Sequence, residues 1–148
     1  MAATLAAPRL EPIGAADPDL RRCLEGARLA TADLPGICKR YFRLAGGGKL
    51  LAYGGLEVRG AHALLRSIVV DGKQRGHGYG RTLVNGLLAE AKKLGLKDAY
   101  LLTETAAPFF AKLDFIACAR EAAPPEIAAT QQFAELCPAS AKLMRRQI

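Results

Sequence analysis

The chain lacks tryptophan, and its other aromatics, four tyrosines and five phenylalanines, make up only 6% of its 148 residues. A nucleic-acid surface that stacks bases needs aromatics among its cations, so the net charge of +7 is a weak argument for a nucleic-acid partner. Histidine is nearly absent too, with only His62 and His77. The cysteines Cys23, Cys38, Cys118 and Cys137 include no C-x-x-C pair, so no zinc spacing exists and no metal is expected. Scattered cysteines of this kind are expected to be small core residues in a reducing compartment. No apolar run approaches the roughly 18 residues of a membrane helix, and Pro8 and Arg9 interrupt the short apolar opening, which lacks a basic start. These absences predict one cytoplasmic domain over residues 1–148, with no membrane partner. Hydrophobic residues at 51% and charged residues at 24% suffice for a folded core.

The periodicity predicts a helix capped by Asp17 and running to about Ala30, with Leu20, Cys23, Leu24 and Ala27 on one face. Strands follow over 39–45, 49–58 and 63–70, the first two joined by Gly46, Gly47 and Gly48. A helix over 80–94 carries Leu83, Val84, Leu87, Leu88 and Ala91 as its apolar stripe, and Gly95 stops it. Then come a strand over 97–103, a short helix over 106–113, a strand over 115–121, a helix from Pro125 to about Leu136 and a last strand over 140–147. The order predicts an α+β domain with a mixed sheet.

Between the strand ending at Val70 and the helix opening at Gly80 lies a basic loop, with glycines at 76, 78 and 80. Glycines allow close backbone approach and converging N–H groups, and the helix end adds a positive dipole, so the segment reads as a pyrophosphate cradle. It is neither a Walker A loop, since no Gly-Lys-Ser/Thr follows, nor the dinucleotide G-x-G-x-x-G.

Arg75-x-x-Gly78-x-Gly80 after Ile68-Val69-Val70 resembles the acetyl-CoA motif of the GNAT N-acetyltransferase superfamily. The segment Ala106-Ala107-Pro108-Phe109-Phe110, followed by Asp114-Phe115, is similar to that family's helix ending in Gly-Phe. Three further stretches resemble the GNAT enzymes encoded in arsenic-resistance operons: Leu64 to Ser67, Leu101 to Ala106, and Leu136 to Ala141. The second also resembles the acetyltransferase domain of N-acetylglutamate synthases.

The resemblance implies a GNAT fold, with a mostly antiparallel mixed sheet flanked by helices, and acetyl-CoA as cosubstrate. Backbone groups of Ile68, Val69 and Val70 would meet the pantetheine arm. Those of Arg75, Gly76, His77, Gly78, Tyr79, Gly80, Arg81 and Thr82 would hold the pyrophosphate, with His77 and Tyr79 at variable positions. Lys73, Arg75 and Arg81 would supply local positive charge. Many members place a tyrosine acid where this chain has Phe110, and Asp114 replaces the glycine. A phenyl ring cannot donate a proton. That leaves Glu57, His62 and Glu104 as nearby ionisable bases, of which Glu57 is the expected one, with Thr103 and Thr105 as hydrogen-bond donors or as caps of the following helix. Arg43, Arg66, Ser67 and Ser140 are the candidates for a substrate carboxylate.

The implied activity is transfer of acetyl to the amine of a small molecule: a glutamate-like amino acid, or its organoarsenical or phosphinic analogue. A peptide amine as acceptor, or a catalytically silent acetyl-CoA module, stands as the alternative. Homodimers are common in such folds, although no interface is legible here.

Overall fold

A computed structural model of the protein describes residues 8–36, 38–74, 76–136 and 140–148. Seven strands form one sheet in the order β1-β2-β3-β4-β5-β7-β6. They are β1 (Arg9–Ile13), β2 (Lys39–Gly46), β3 (Lys49–Arg59), β4 (His62–Val70), β5 (Asp98–Thr103), β6 (Ile116–Cys118) and β7 (Lys142–Gln147). Every neighbouring pair is antiparallel except β4–β5. The helices are α1 (Pro18–Gly26), α2 (Tyr79–Lys93), α3 (Ala107–Ala111) and α4 (Pro125–Ala128). This is the α+β mixed sheet the sequence predicts.

Four elements differ from that expectation, each for a local reason. Strand β1 is additional; Pro12 within it is tolerated because an edge strand needs fewer ladder donors. Helix α1 stops at Gly26, and Arg28 turns left-handed at φ 59°. The helix expected over 125–136 breaks after Ala128: the Thr130 hydroxyl donates to Ile127 O at 2.7 Å and accepts from Phe133 N at 3.3 Å. A π-helical turn, Gln132–Leu136, follows. Strand β6 is only three residues long, because Arg120 draws the chain aside by donating to Ala141 O and Phe133 O, both at 3.1 Å. The cysteines also differ: Cys23, Cys38 and Cys118 are half-buried thiols at the margins of the core, while Cys137 lies outside the described residues.

The two faces of the sheet bury separate clusters. On one, α2 lays Leu83, Val84, Leu87 and Leu88 against Phe42, Leu44, Leu56 and Leu65. Gly54 on β3 makes this approach possible, since a Cβ there would lie 2.9 Å from Leu87 Cδ1. On the other face α1 packs Leu20 and Leu24 against Tyr41 and Tyr53, and nearby Ile127 packs against Leu64, Tyr100 and Leu143.

Three helices end in the same six-residue device, in which the N–H two residues past the last helical turn reaches back to a carbonyl. In α2 Leu96 N bonds Ala91 O with Gly95 in the left-handed position; in α3 Phe115 N bonds Phe110 O with Asp114 there at φ 68°. The Phe110 and Phe115 rings meet edge to face at 5.8 Å. The glycine expected here from the Gly-Phe resemblance is thus replaced by one of the few side chains that tolerate this region. Asp114→Gly relieves the strain, and urea denaturation is expected to show a gain of about 0.5–1 kcal/mol. An unchanged or lower midpoint would refute that account.

Candidate active site

Strand β4 changes its facing at Ser67, a buried residue held at φ 57°. Before it, Ala63 and Leu65 face α2 while Leu64 and Arg66 face the other way; after it, Ile68 and Val70 face α2 and Val69 faces α1. The register against β3 slips at the same place, between Tyr53 and Gly55. This is a β-bulge, and it bends the strand. Pairing with β5 runs only through His62↔Asp98, Ala63↔Ala99 and Leu64↔Tyr100. Beyond it the two strands diverge, and the opening holds a cavity of about 830 Å³.

The cavity runs through the sheet. On the α2 side it is lined by Ile68, Val70, Gln74, Gly76, Gly78, Tyr79, Gly80 and Arg81, with Phe109 and Phe110 of α3. On the α1 side Arg28, Leu29, Val69 and Gln132 close it, and Ser67, Thr103, Glu104 and Thr105 stand along its rim. Gly76 and Gly78 have φ of 86° and 77°, and a Cβ on either would meet no atom of the described residues within 4 Å. The glycines therefore border open space at the start of α2, whose first N–H groups have no side-chain cap. A pyrophosphate fits there on electrostatic grounds, and an extended arm fits along the unpaired edge of β4.

Of the residues singled out from sequence, Ile68, Val69, Val70, Gly76, Gly78, Tyr79, Gly80 and Arg81 are brought together at the cavity, as are Arg66, Ser67, Thr103 and Thr105. Among the described residues His77, Thr82, Glu57, Arg43 and Ser140 are not part of its lining. His77 rests against the Tyr79 ring at 5.7 Å, and the Thr82 hydroxyl donates to Gly78 O at 3.2 Å, which supports the loop from behind. Arg43 sits on β2 opposite Glu11, 3.5 Å away. Arg75 lies outside the described residues. Thr103 caps the turn into α3 by accepting from Ala106 N at 3.0 Å.

Glu57 needs correction as the expected base. Its side chain is fully buried, with Oε1 accepting from Arg66 Nη1 at 3.0 Å and Oε2 from Arg59 Nη2 at 2.6 Å. A carboxylate held by two guanidiniums away from the cavity has no path to an amine. Arg66 is corrected for the same reason as a grip for substrate: Nη1 and Nη2 donate to Asp33 Oδ2 and Oδ1 at 2.7 and 2.6 Å, and its side chain is fully buried. Burial alone would lower the guanidinium, but Asp33, Tyr41 and Glu57 outweigh it and raise its pKa. Burial would likewise raise Asp33, yet Arg66, Lys39 and Gln132 hold it below the usual carboxylate range. The Tyr41 hydroxyl, pushed up to about 12 chiefly by burial, donates to Leu34 O at 2.7 Å. Together these bonds tie the loop between α1 and β2 to β4 beside the bulge. His62, the second base weighed, pairs with Asp98 at the opposite end of β4. Only Glu104 remains at the cavity. Asp33, Arg28, Gln74 and Gln132 have no local sequence signature, and sequence reasoning misses them.

A bulged strand that parts from its parallel neighbour, with a glycine-lined helix end at the mouth of the gap, is an arrangement that suits an extended acyl donor laid along an open strand edge. The chain matches the acetyltransferase (GNAT) family over residues 16–115, and it belongs to that family. Acetyl-CoA is the family's acetyl donor. No curated protein is matched at a significant level by sequence. Among solved structures it is similar to the N-acetylglutamate synthase of Neisseria gonorrhoeae in complex with coenzyme A and L-arginine, with TM-score 0.77 at 14% identity, over 97% of this chain and 34% of that one. It is also similar to an acetyltransferase of Bacillus subtilis in complex with CoA (TM-score 0.71, 16% identity, 96% and 99% coverage). A GNAT-family acetyltransferase of Staphylococcus aureus Mu50 gives TM-score 0.72 at 14% identity, over 95% and 99%. The chain thus spans about a third of the length of the synthase. No described helix is long and apolar enough to cross a membrane.

Proposed function

We propose that residues 1–148 form one acetyltransferase domain that moves acetyl from acetyl-CoA to the amino group of a small molecule. The acceptor we favour is a glutamate-like amino acid or its organoarsenical or phosphinic analogue. The observation that carries the reading is the cavity that crosses the sheet at the β4–β5 divergence. The donor side holds the glycines and α2; the acceptor side is closed by the end of α1 and by Gln132, which suits a small molecule better than a peptide. The segments 64–67, 101–106 and 136–141 support the arsenic-operon likeness, and the fold shared with N-acetylglutamate synthase supports an amino-acid acceptor.

The chemistry assigned to these residues is direct transfer. A neutral amine attacks the thioester carbonyl, the tetrahedral adduct collapses, the C–S bond breaks and the thiolate leaves. The amine's proton goes to solvent through Glu104, the one carboxylate among the described residues of the cavity wall. Past Leu64, where pairing with β5 ends, backbone N–H groups of β4 at the bulge would serve the developing oxyanion. Phe110 is buried and packed edge to face on Phe109 and Phe115, so no acid acts from that position. A thiol pKa of about 8.5 makes the thiolate a tolerable leaving group without one.

The test is incubation of the purified protein with acetyl-CoA and an amine panel of glutamate, phosphinothricin, arsinothricin and several peptides, following thiol release and product mass. Acetylation of the amino acids is expected. Tight acetyl-CoA binding with no turnover on any amine would favour the silent-module reading that Phe110 suggests. In the active enzyme Glu104→Gln is expected to lower kcat/KM by about 10- to 100-fold near neutral pH. The deficit should shrink at alkaline pH, where the acceptor is already deprotonated. A uniform deficit across pH would remove Glu104 as the base.

A further inference from the structure

Among the described residues three arginines line the cavity, Arg28, Arg66 and Arg81. The Arg66 guanidinium is spent on Asp33 and Glu57. Arg81 stands in the first turn of α2 with the donor-side glycines. Arg28 lies across the sheet from them, at the end of α1; it is exposed and forms no ion pair with any described residue.

Its backbone is unusual as well. Leu29 N bonds Leu24 O and Arg28 N bonds Glu25 O, so Arg28 occupies the left-handed place that Gly95 takes after α2. Glycine is the residue that position favours, and a long cationic side chain there is held at a conformational cost. Strain of this kind concentrates at ligand-binding sites. The charge is offered to the acceptor side of the cavity, whose carboxylate is Glu104 and whose apolar wall includes Leu29 and Leu102.

We propose that Arg28 is the anion-binding residue of the acceptor subsite, so that the acceptor is an amine that also carries a carboxylate or a comparable oxyanion. A guanidinium grips such a group through two parallel donors. One cation and one carboxylate on the acceptor side match a zwitterion, with the amine end toward Glu104. This deepens the proposed function and rests on it. It gives the carboxylate grip to a residue other than Arg43, Arg66, Ser67 or Ser140.

The test uses the full chain, saturated with CoA, and two readouts. Calorimetric titration compares L-glutamate and L-phosphinothricin with the diamide of L-glutamate, which keeps the amine and has no carboxylate, in wild type, Arg28→Gly and Arg28→Lys. Steady-state kinetics on the same compounds follow. The expected result is at least tenfold tighter binding of the anionic amines by wild type, a preference that Arg28→Gly abolishes and Arg28→Lys keeps in part. In kinetics KM for the anionic amines rises with kcat little changed. The thermal midpoint of Arg28→Gly should not fall, because glycine relieves the left-handed strain, so misfolding cannot account for the loss. Equal binding by wild type of the compounds with and without an anionic group, or a preference that survives in Arg28→Gly, overturns the proposal. Preserved anion binding without any turnover overturns the catalytic reading and leaves the assignment of Arg28 standing.

Discussion

Arg66→Met is expected to remove roughly 3–5 kcal/mol of folding stability, the cost of taking the shared guanidinium from two buried carboxylates that then keep only Lys39 and Arg59 as partners. Folded domains of this size have about 5–15 kcal/mol in total, so the variant should be partly unfolded at physiological temperature. The side chains of Arg66, Asp33 and Glu57 are all wholly buried. Methionine fills the volume and supplies none of the charge. Arg66→Lys should rescue little, because one ammonium cannot serve two carboxylates in fixed directions. Equilibrium urea unfolding reads the loss directly; a change below about 1 kcal/mol would refute this account and show that the desolvation of the buried ions offsets their attraction. The acid limb gives the sign. Asp33 has a folded pKa below its ordinary value, so its contribution is complete above that ordinary value and is lost as pH falls through the folded one. Stability of the wild type should therefore drop on the acid side near and below the usual aspartate range, with a shallower drop in Arg66→Met.

Gly78→Val should weaken acetyl-CoA binding by about 100-fold, since a β-branched side chain at the left-handed start of α2 intrudes on the space we assign to the phosphates beside the helix N–H groups. The described residues offer no clash: a Cβ on Gly78 has no neighbour among them within 4 Å. The loss should thus appear in affinity, with stability lowered by no more than the roughly 1–2 kcal/mol of backbone strain. Gly48 provides the control, with φ 74° and equally open surroundings in the β2–β3 turn, away from the cavity. Gly48→Val should suffer the same strain and bind acetyl-CoA as wild type does. Unchanged affinity in Gly78→Val would put the phosphates elsewhere.

The donor side was legible in the sequence because its parts are contiguous. Strand, glycine loop and helix follow one another from Ile68 to Leu83, and the chemistry of each is a local property. The acceptor side is assembled from afar. Asp33 and Arg66 meet across 33 positions, and no periodicity in either segment announces it. Glu57 shows the difficulty well. Alternation places it at a strand end, where exposure is a fair expectation. Yet β4 on one side and Arg59 on the other enclose it, a fact that belongs to the packing. The bulge at Ser67 was likewise hidden, since β4 itself carries no glycine there, and the Thr130 break in the last helical segment rests on a single hydroxyl.

The divergence of β4 from β5 also bears on how the molecule behaves among its own copies. An unpaired strand edge invites any passing β-strand, which makes such edges a source of aggregation. Here the open edge lies in the interior of the sheet, between two strands, with the end of α1 over one face and α2 and α3 over the other. A neighbouring chain would have to bring side chains above and below the sheet plane, where those helices stand. A slender arm with no such side chains can enter. The slot therefore selects by cross-section, admitting a thread and refusing a ribbon, so a reactive edge is kept open without becoming a seam between molecules.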